Sequence, residues 1–212
     1  MRTPSPTHPG RAPRTPYGGG QDLVPETAFE GMAFEGQDFG GQSSDLVAFR
    51  GCDLGRVSFA NGTLSRVEFG DSVLEACDLA NARWERAHLA GARFSGCRLV
   101  GLDLTGALLR RCRLEACNAS LACFRDASLR EVRFQDCDLR GSSFQGADLR
   151  GVSFAGCDLA ECQLSFAKLG GADLRGARIE GLRVRIEDLK GLIVDPVQAA
   201  YLAGLMGLRI LP

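Results

Sequence analysis

Large apolar residues recur at every fifth position along most of this chain. From Phe29 to Val194, every fifth residue is large and apolar except Ser44 and Ala119, and no insertion or deletion breaks the phase. The residue two positions earlier is mostly small or slim, commonly Ala, Cys or Val, whereas the other three positions are mostly polar or glycine. Each five-residue unit is therefore predicted to bury one large and one small side chain and to expose three positions.

A five-residue period fits neither an amphipathic helix nor a long alternating strand. It fits a short extended segment followed by a tight turn, because the side chains at i and i−2 of a strand point to the same face. Short parallel segments stacked about 4.8 Å apart can satisfy one another's backbone groups. Four such segments would close a square coil of about twenty residues, so the pattern predicts an all-β solenoid.

The periodic region has a different kind of segment on either side. Residues 1–26 hold six of the eight prolines and three consecutive glycines, a composition that predicts a disordered leader. The repeat is predicted over 27–194. After it, Asp195 and Pro196 have the character of a helix N-cap and first helical residue, Gly207 follows the predicted helix end, and residues 208–211 suggest a short strand.

Residues 195–212 are predicted to form a cap, a dimerisation module or both, because their apolar residues exceed what one end of a solenoid needs. The proposed dimer contacts are the apolar side chains of this segment: Val197, Tyr201, Leu202, Leu205, Met206 and Leu208.

Two segments, 147–151 and 172–176, read Ala-Asp-Leu-Arg-Gly and resemble the A(D/N)LXX consensus of the pentapeptide-repeat family. This resemblance implies a right-handed quadrilateral parallel β-helix over about four fifths of the chain. The C-terminal segment, with Gln198-Ala199, Leu202 and Gly207-Leu208, looks like the dimerisation module of the quinolone-resistance branch of that family. Members of this branch bind DNA gyrase or topoisomerase IV, imitate duplex DNA, and protect the enzyme from quinolones or toxins. The resemblance therefore implies a homodimer with a topoisomerase partner.

The distribution of charge bears on that partner. The 212-residue chain has a net charge of −1, which removes the basic excess expected of a protein that grips nucleic acid, and we expect no direct nucleic-acid binding. Residues 22–82, however, contain eleven acidic residues against three arginines, whereas residues 83–150 contain twelve arginines against eight acids.

A DNA mimic must present carboxylates where phosphates would sit. The predicted partner-binding residues are the outward acids of the first segment: Asp38, Asp45, Asp53, Glu68, Asp71, Glu75 and Asp78. The alternative is a structural or protein-interaction scaffold with another partner, on which these charges only solvate the rod.

Nine cysteines and two histidines are the remaining candidates for chemistry. Eight of the cysteines fall on the inward small site, and only Cys123 falls on an outward one. Stacked cysteines would lie at the coil spacing rather than at bonding distance. We therefore expect core packing, no metal or cofactor, and no enzyme. No apolar run could span a membrane or serve as a secretory signal, which predicts a cytoplasmic protein without disulfides.

Overall fold

The computed structural model describes residues 14–20 and 22–209. Within these ranges the chain forms very short strands in regular succession, followed by one 3₁₀ helix, Ile186–Leu189, and one α-helix, α1, Pro196–Leu205. The strands are β1 Thr15–Pro16, β2 Ala28–Glu30, β3 Met32–Glu35, β4 Ser43–Asp45, β5 Ala48–Arg50, β6 Asp53–Gly55, β7 Thr63–Ser65, β8 Glu68–Gly70, β9 Val73–Glu75, β10 His88–Ala90, β11 Arg93–Ser95, β12 Leu108–Arg110, β13 Arg113–Glu115, β14 Ser128–Arg130, β15 Arg133–Gln135 and β16 Ser153–Ala155.

The strands stack in parallel at intervals of twenty residues and form the predicted right-handed quadrilateral β-helix. Three sheets have the orders β1-β3-β6-β9-β11-β13-β15-β16, β14-β12-β10-β8-β5-β2 and β4-β7. On a further side, single parallel bridges continue the stack through seven steps: Asp38, Ser58, Asp78, Arg98, Asn118, Asp138, Asp158 and Arg178. We call the sides that contain Phe29, Phe34, Phe39 and Ser44 the first, second, third and fourth sides.

The core is the stack of predicted inward residues. Every fifth residue from Phe29 to Ile179 is buried, and the small residue two positions earlier is buried with it at each cysteine-bearing site. Because coils lie in register, equal residues meet: the rings of Phe49 and Phe69 are 4.7 Å apart, and those of Phe134 and Phe154 are 5.1 Å apart. The last three sites, Val184, Leu189 and Val194, are only half-buried because no further coil covers them.

The acidic residue of the Ala-Asp-Leu-Arg-Gly unit has a structural function. An Asp or Asn just before the large inward residue accepts a hydrogen bond from the backbone N–H two residues later, which fixes the outward bend of the chain. Asp38 bonds the N–H of Gly40 at 2.8 Å, and Asp78 bonds that of Ala80 at 2.9 Å. The repeat therefore favours Asp or Asn at this position irrespective of any partner.

The N-terminal end corrects the predicted leader. Residues 1–13 and 21 lie outside the described part of the chain, but Thr15–Pro16 pairs in parallel with β3, so the prediction of disorder was wrong for this stretch. The ring of Tyr17 stacks on Phe34 at a centroid distance of 4.6 Å, and Leu23 is buried. This segment covers apolar surface of the first coil that would otherwise face water.

The C-terminal end is closed by α1, whose boundaries agree with the sequence prediction. Asp195 and Gln198 form a reciprocal capping box, with Asp195 accepting from the Gln198 N–H at 2.9 Å. The Gln198 side chain also donates to the carbonyls of Leu174 and Ala177, at 2.6 and 2.7 Å. The strand predicted over 208–211 is absent at 208 and 209, and residues 210–212 lie outside the described part of the chain.

We predict that Phe134→Ala lowers the free energy of unfolding by about 3–5 kcal/mol, because the ring is fully buried and its removal leaves a cavity between stacked neighbours. Chemical denaturation followed by far-UV circular dichroism measures the effect. The exposed Arg133→Ala, one residue earlier, is the control and should change stability little. A loss below about 0.5 kcal/mol for Phe134→Ala would show that the inward phase is misassigned.

Candidate protein-interaction surface

Acidic and basic residues lie on different edges of the solenoid, in addition to their different distribution along its length. Two rows of outward residues flank each corner of the coil. One row is the residue that follows the inward residue of one side, and the other is the residue that precedes the inward residue of the next side. Between the second and third sides these rows carry seven carboxylates, and the corner position between them carries Asp136. We call these eight residues the acidic edge: Glu35, Asp38, Glu75, Asp78, Glu115, Asp136, Asp138 and Asp158.

The acidic edge collects three of the seven predicted partner-binding acids, namely Asp38, Glu75 and Asp78. The other four lie elsewhere: Asp53 and Asp71 on the edge between the first and second sides, and Asp45 and Glu68 on the edge between the fourth and first sides. The structure therefore does not bring the seven together as one surface.

Several of the dispersed acids are neutralised by arginines of neighbouring coils. Arg66 pairs with Asp45, and Arg50 pairs with Glu68 at 2.9 Å. Hydrogen bonding to these guanidinium groups lowers the pKa of both carboxyls. Asp53 lies 3.5 Å from Arg14. The charge of these acids is therefore directed to an arginine within the protein.

Four of the eight carboxylates of the acidic edge pair with arginines: Glu35 with Arg56, Asp78 with Arg98 at 3.0 Å, Asp138 with Arg140 at 2.6 Å, and Asp158 with Arg178 at 3.3 Å. In contrast, Asp38, Glu75, Glu115 and Asp136 have no ion pair among the described residues. The edge extends over about six coil steps, or roughly 30 Å at the usual strand spacing, close to one turn of duplex DNA.

Sequence reasoning missed five residues of this edge: Glu35, Glu115, Asp136, Asp138 and Asp158. The signal that identifies them is position modulo twenty, because residues that differ by twenty stack on one another. Counting charge in consecutive segments mixed residues from all four sides, and so concealed this edge.

The cysteines follow the predicted arrangement. Eight are buried and Cys123 is half-exposed, and all nine are free thiols. Buried thiols donate to backbone carbonyls of the preceding coil, as Cys112 does to Leu89 at 3.2 Å and Cys162 does to Leu139 at 2.9 Å. Burial raises the pKa of both thiols to about 11. Among the described residues, no three His, Cys, Asp or Glu side chains are grouped to hold a metal ion.

The predicted dimer residues divide between the interior and the surface. Leu202 belongs to the core and is buried, so its assignment as a dimer contact was wrong: it closes the last coil instead. Tyr201 is half-buried, and its hydroxyl accepts from the N–H of Gly181 at 2.7 Å. The remaining four residues are exposed, and we call them the C-terminal patch: Val197, Leu205, Met206 and Leu208.

Comparison with known proteins agrees with this architecture. Residues 87–166 match the family described as pentapeptide repeat region. A trypsin-treated variant of QnrB1, a plasmid-mediated fluoroquinolone resistance protein, is 24% identical over 88% of this chain and 91% of that chain, with a TM-score of 0.51. HetL, a pentapeptide repeat protein from the cyanobacterium Nostoc sp. strain PCC 7120 involved in heterocyst differentiation regulation, is 19% identical over 82% and 90% of the chains, with a TM-score of 0.40. No curated protein sequence matches the chain.

The stacked parallel strands place the protein in the class of parallel β-helix solenoids. Within that class, residues 87–166 match the pentapeptide repeat family, and the chain has the fold of QnrB1. No helix in the described part of the chain is long and apolar enough to cross a bilayer.

We predict that only Cys123 reacts with a thiol reagent under native conditions and that all nine cysteines react after denaturation. Burial keeps the reagent away from the other eight thiols, and the raised pKa of Cys112 and Cys162 also holds those two in their unreactive protonated form. Intact-mass spectrometry after brief labelling counts the modified sites. Cys123→Ser should abolish native labelling, whereas rapid native labelling of several sites would contradict the packing of the cysteines.

Proposed function

We propose that this protein is a non-enzymatic, DNA-mimicking rod that binds a type II topoisomerase, DNA gyrase or topoisomerase IV. In this proposal it modulates the enzyme or protects it from quinolones or toxins. The observation that carries the proposal is the acidic edge, a set of carboxylates stacked by the twenty-residue register of the coils. The fold shared with QnrB1, whose description is a fluoroquinolone resistance protein, supports the same direction.

The proposed contact on the partner is the surface with which a topoisomerase holds duplex DNA. A surface that grips duplex DNA is shaped and charged to receive phosphates, so a rod with carboxylates at its edge can occupy it without base contacts. Glu75 and Glu115 lie on the same row of the second side, two coil steps apart. Because neither has an ion pair among the described residues, each can meet a basic partner without first breaking an internal bond.

The proposed acidic-edge contact predicts that Glu75→Gln, Asp78→Asn and Glu115→Gln together abolish any effect of the protein on gyrase. Asparagine at residue 78 keeps the oxygen that accepts from the Ala80 N–H, so the fold is retained. The measurement is gyrase supercoiling and quinolone-induced DNA cleavage, each with and without the purified protein.

The matched control removes three exposed carboxylates away from the edge: Glu85→Gln, Glu161→Gln and Glu180→Gln. This control should behave as the unaltered protein. Equal loss in both triple variants would show that total charge acts rather than the acidic edge. If the unaltered protein neither binds gyrase nor changes either activity, the scaffold alternative with another partner replaces the proposal.

We also propose that two copies join through the C-terminal patch. Val197, Leu205, Met206 and Leu208 form an exposed apolar surface at the end of the rod, where a twofold contact would bury them. A C-terminal dimer would double the rod length and place an acidic edge on each arm.

For this assembly, sedimentation at micromolar concentration should show a dimer for the unaltered chain and a folded monomer for Leu205→Glu with Met206→Glu. Charged side chains at this contact would be desolvated on association. Leu121→Glu, which also alters an exposed leucine but on the side of the rod, should stay dimeric. A monomeric unaltered chain refutes the dimer.

A further inference from the structure

A second charged edge has the opposite sign. Between the first and second sides, three consecutive coils present six exposed arginines, which we call the arginine edge: Arg93, Arg110, Arg111, Arg113, Arg130 and Arg133. None of their guanidinium groups has an ion pair or hydrogen bond with another described residue, and the one carboxylate on this edge in these coils is Glu131.

The coil register places these like charges directly on one another. Arg93, Arg113 and Arg133 are successive partners in one parallel sheet. Arg110 and Arg130 are partners in the next sheet. Neighbouring strands lie about 4.8 Å apart, and like charges in register destabilise a sheet. Folding gains nothing from this arrangement, whereas an external anion bound along the edge would relieve the repulsion.

From this geometry we infer that the arginine edge binds the phosphate backbone of duplex nucleic acid. Guanidinium groups match phosphate oxygens with two parallel hydrogen bonds, and a rigid row of them suits the regular phosphates of a duplex. The inference uses different residues from the topoisomerase proposal and does not depend on it. The net charge of −1, which predicted no nucleic-acid binding, averages this edge with the acidic one.

The surroundings of the edge favour duplex nucleic acid over other polyanions. A protein partner would need an apolar centre to its interface, but the exposed large apolar residue beside these arginines is Leu108 alone among the described residues. Single strands bind by stacking bases on exposed aromatic rings, and every described aromatic ring from Phe94 to Phe154 is buried. Contacts to a duplex backbone need neither feature.

The test is fluorescence anisotropy with a labelled mixed-sequence duplex of about two helical turns and no topoisomerase present. About four phosphate contacts would weaken binding roughly 100-fold between about 50 and about 200 mM salt. Arg110→Gln, Arg113→Gln and Arg133→Gln together should lower the affinity at least about tenfold and flatten this salt dependence.

The matched control is Arg83→Gln, Arg86→Gln and Arg125→Gln, three exposed arginines that also lack ion pairs among the described residues but lie on or beside the fourth side. It should bind duplex nearly as tightly as the unaltered protein. Without nucleic acid, the arginine-edge variant should melt at the same or a higher temperature, since stacked repulsion is removed.

Three outcomes overturn the inference. Equal losses in both variants would show that net charge acts rather than the edge. Tighter binding of a single strand or of polyglutamate than of duplex would assign the edge to another class of partner. Arginine-dependent growth of assemblies beyond the dimer, without duplex binding, would assign it to the acidic edge of a second copy.

Discussion

The rest of this structure depends on exact twenty-residue register between coils. Each short strand obtains its backbone hydrogen bonds from the coils before and after it, so a shift of one residue would turn every inward side chain outward. Register makes each residue the neighbour of those twenty positions away. It therefore stacks Phe134 on Phe154, aligns five of the eight buried thiols along the third side, and sorts surface charges into rows.

At the two ends of the solenoid the stacking of coils stops. There, side chains that do not belong to the five-residue period cover the end coils. At the first coil, Tyr17 covers the rings of Phe29 and Phe34. At the last coil, Leu202 enters the core, while the Gln198 side chain donates to the carbonyls of Leu174 and Ala177. Both ends thus solve one problem, since an uncapped coil exposes apolar surface and unpaired backbone groups.

The sequence alone predicted the features that the five-residue period determines. It did not predict the features that depend on single contacts. The inward sites, the burial of the cysteines and the capped helix after Asp195 all follow from local spacing. Composition missed the strand Thr15–Pro16 and the packing after it, because an average dominated by proline and glycine conceals the contribution of Tyr17 and Leu23. Leu202 was misassigned because helical spacing alone does not reveal which apolar face meets the last coil. The predicted partner-binding acids lie on three different edges of the solenoid, because the charge of consecutive segments does not take the twenty-residue register into account.

Folding and recognition impose different demands on the acidic residues. Asp38, Asp78, Asp138 and Asp158 each accept a backbone N–H two residues later, so the repeat gives them a reason to exist without a partner. Asparagine would serve that bond as well, as Asn118 does, and would carry no charge. Glu75 and Glu115 make no such bond, and folding does not require a carboxylate at either site. The charge on the acidic edge, rather than its turn-forming side chains, is therefore the feature that calls for an explanation outside the fold.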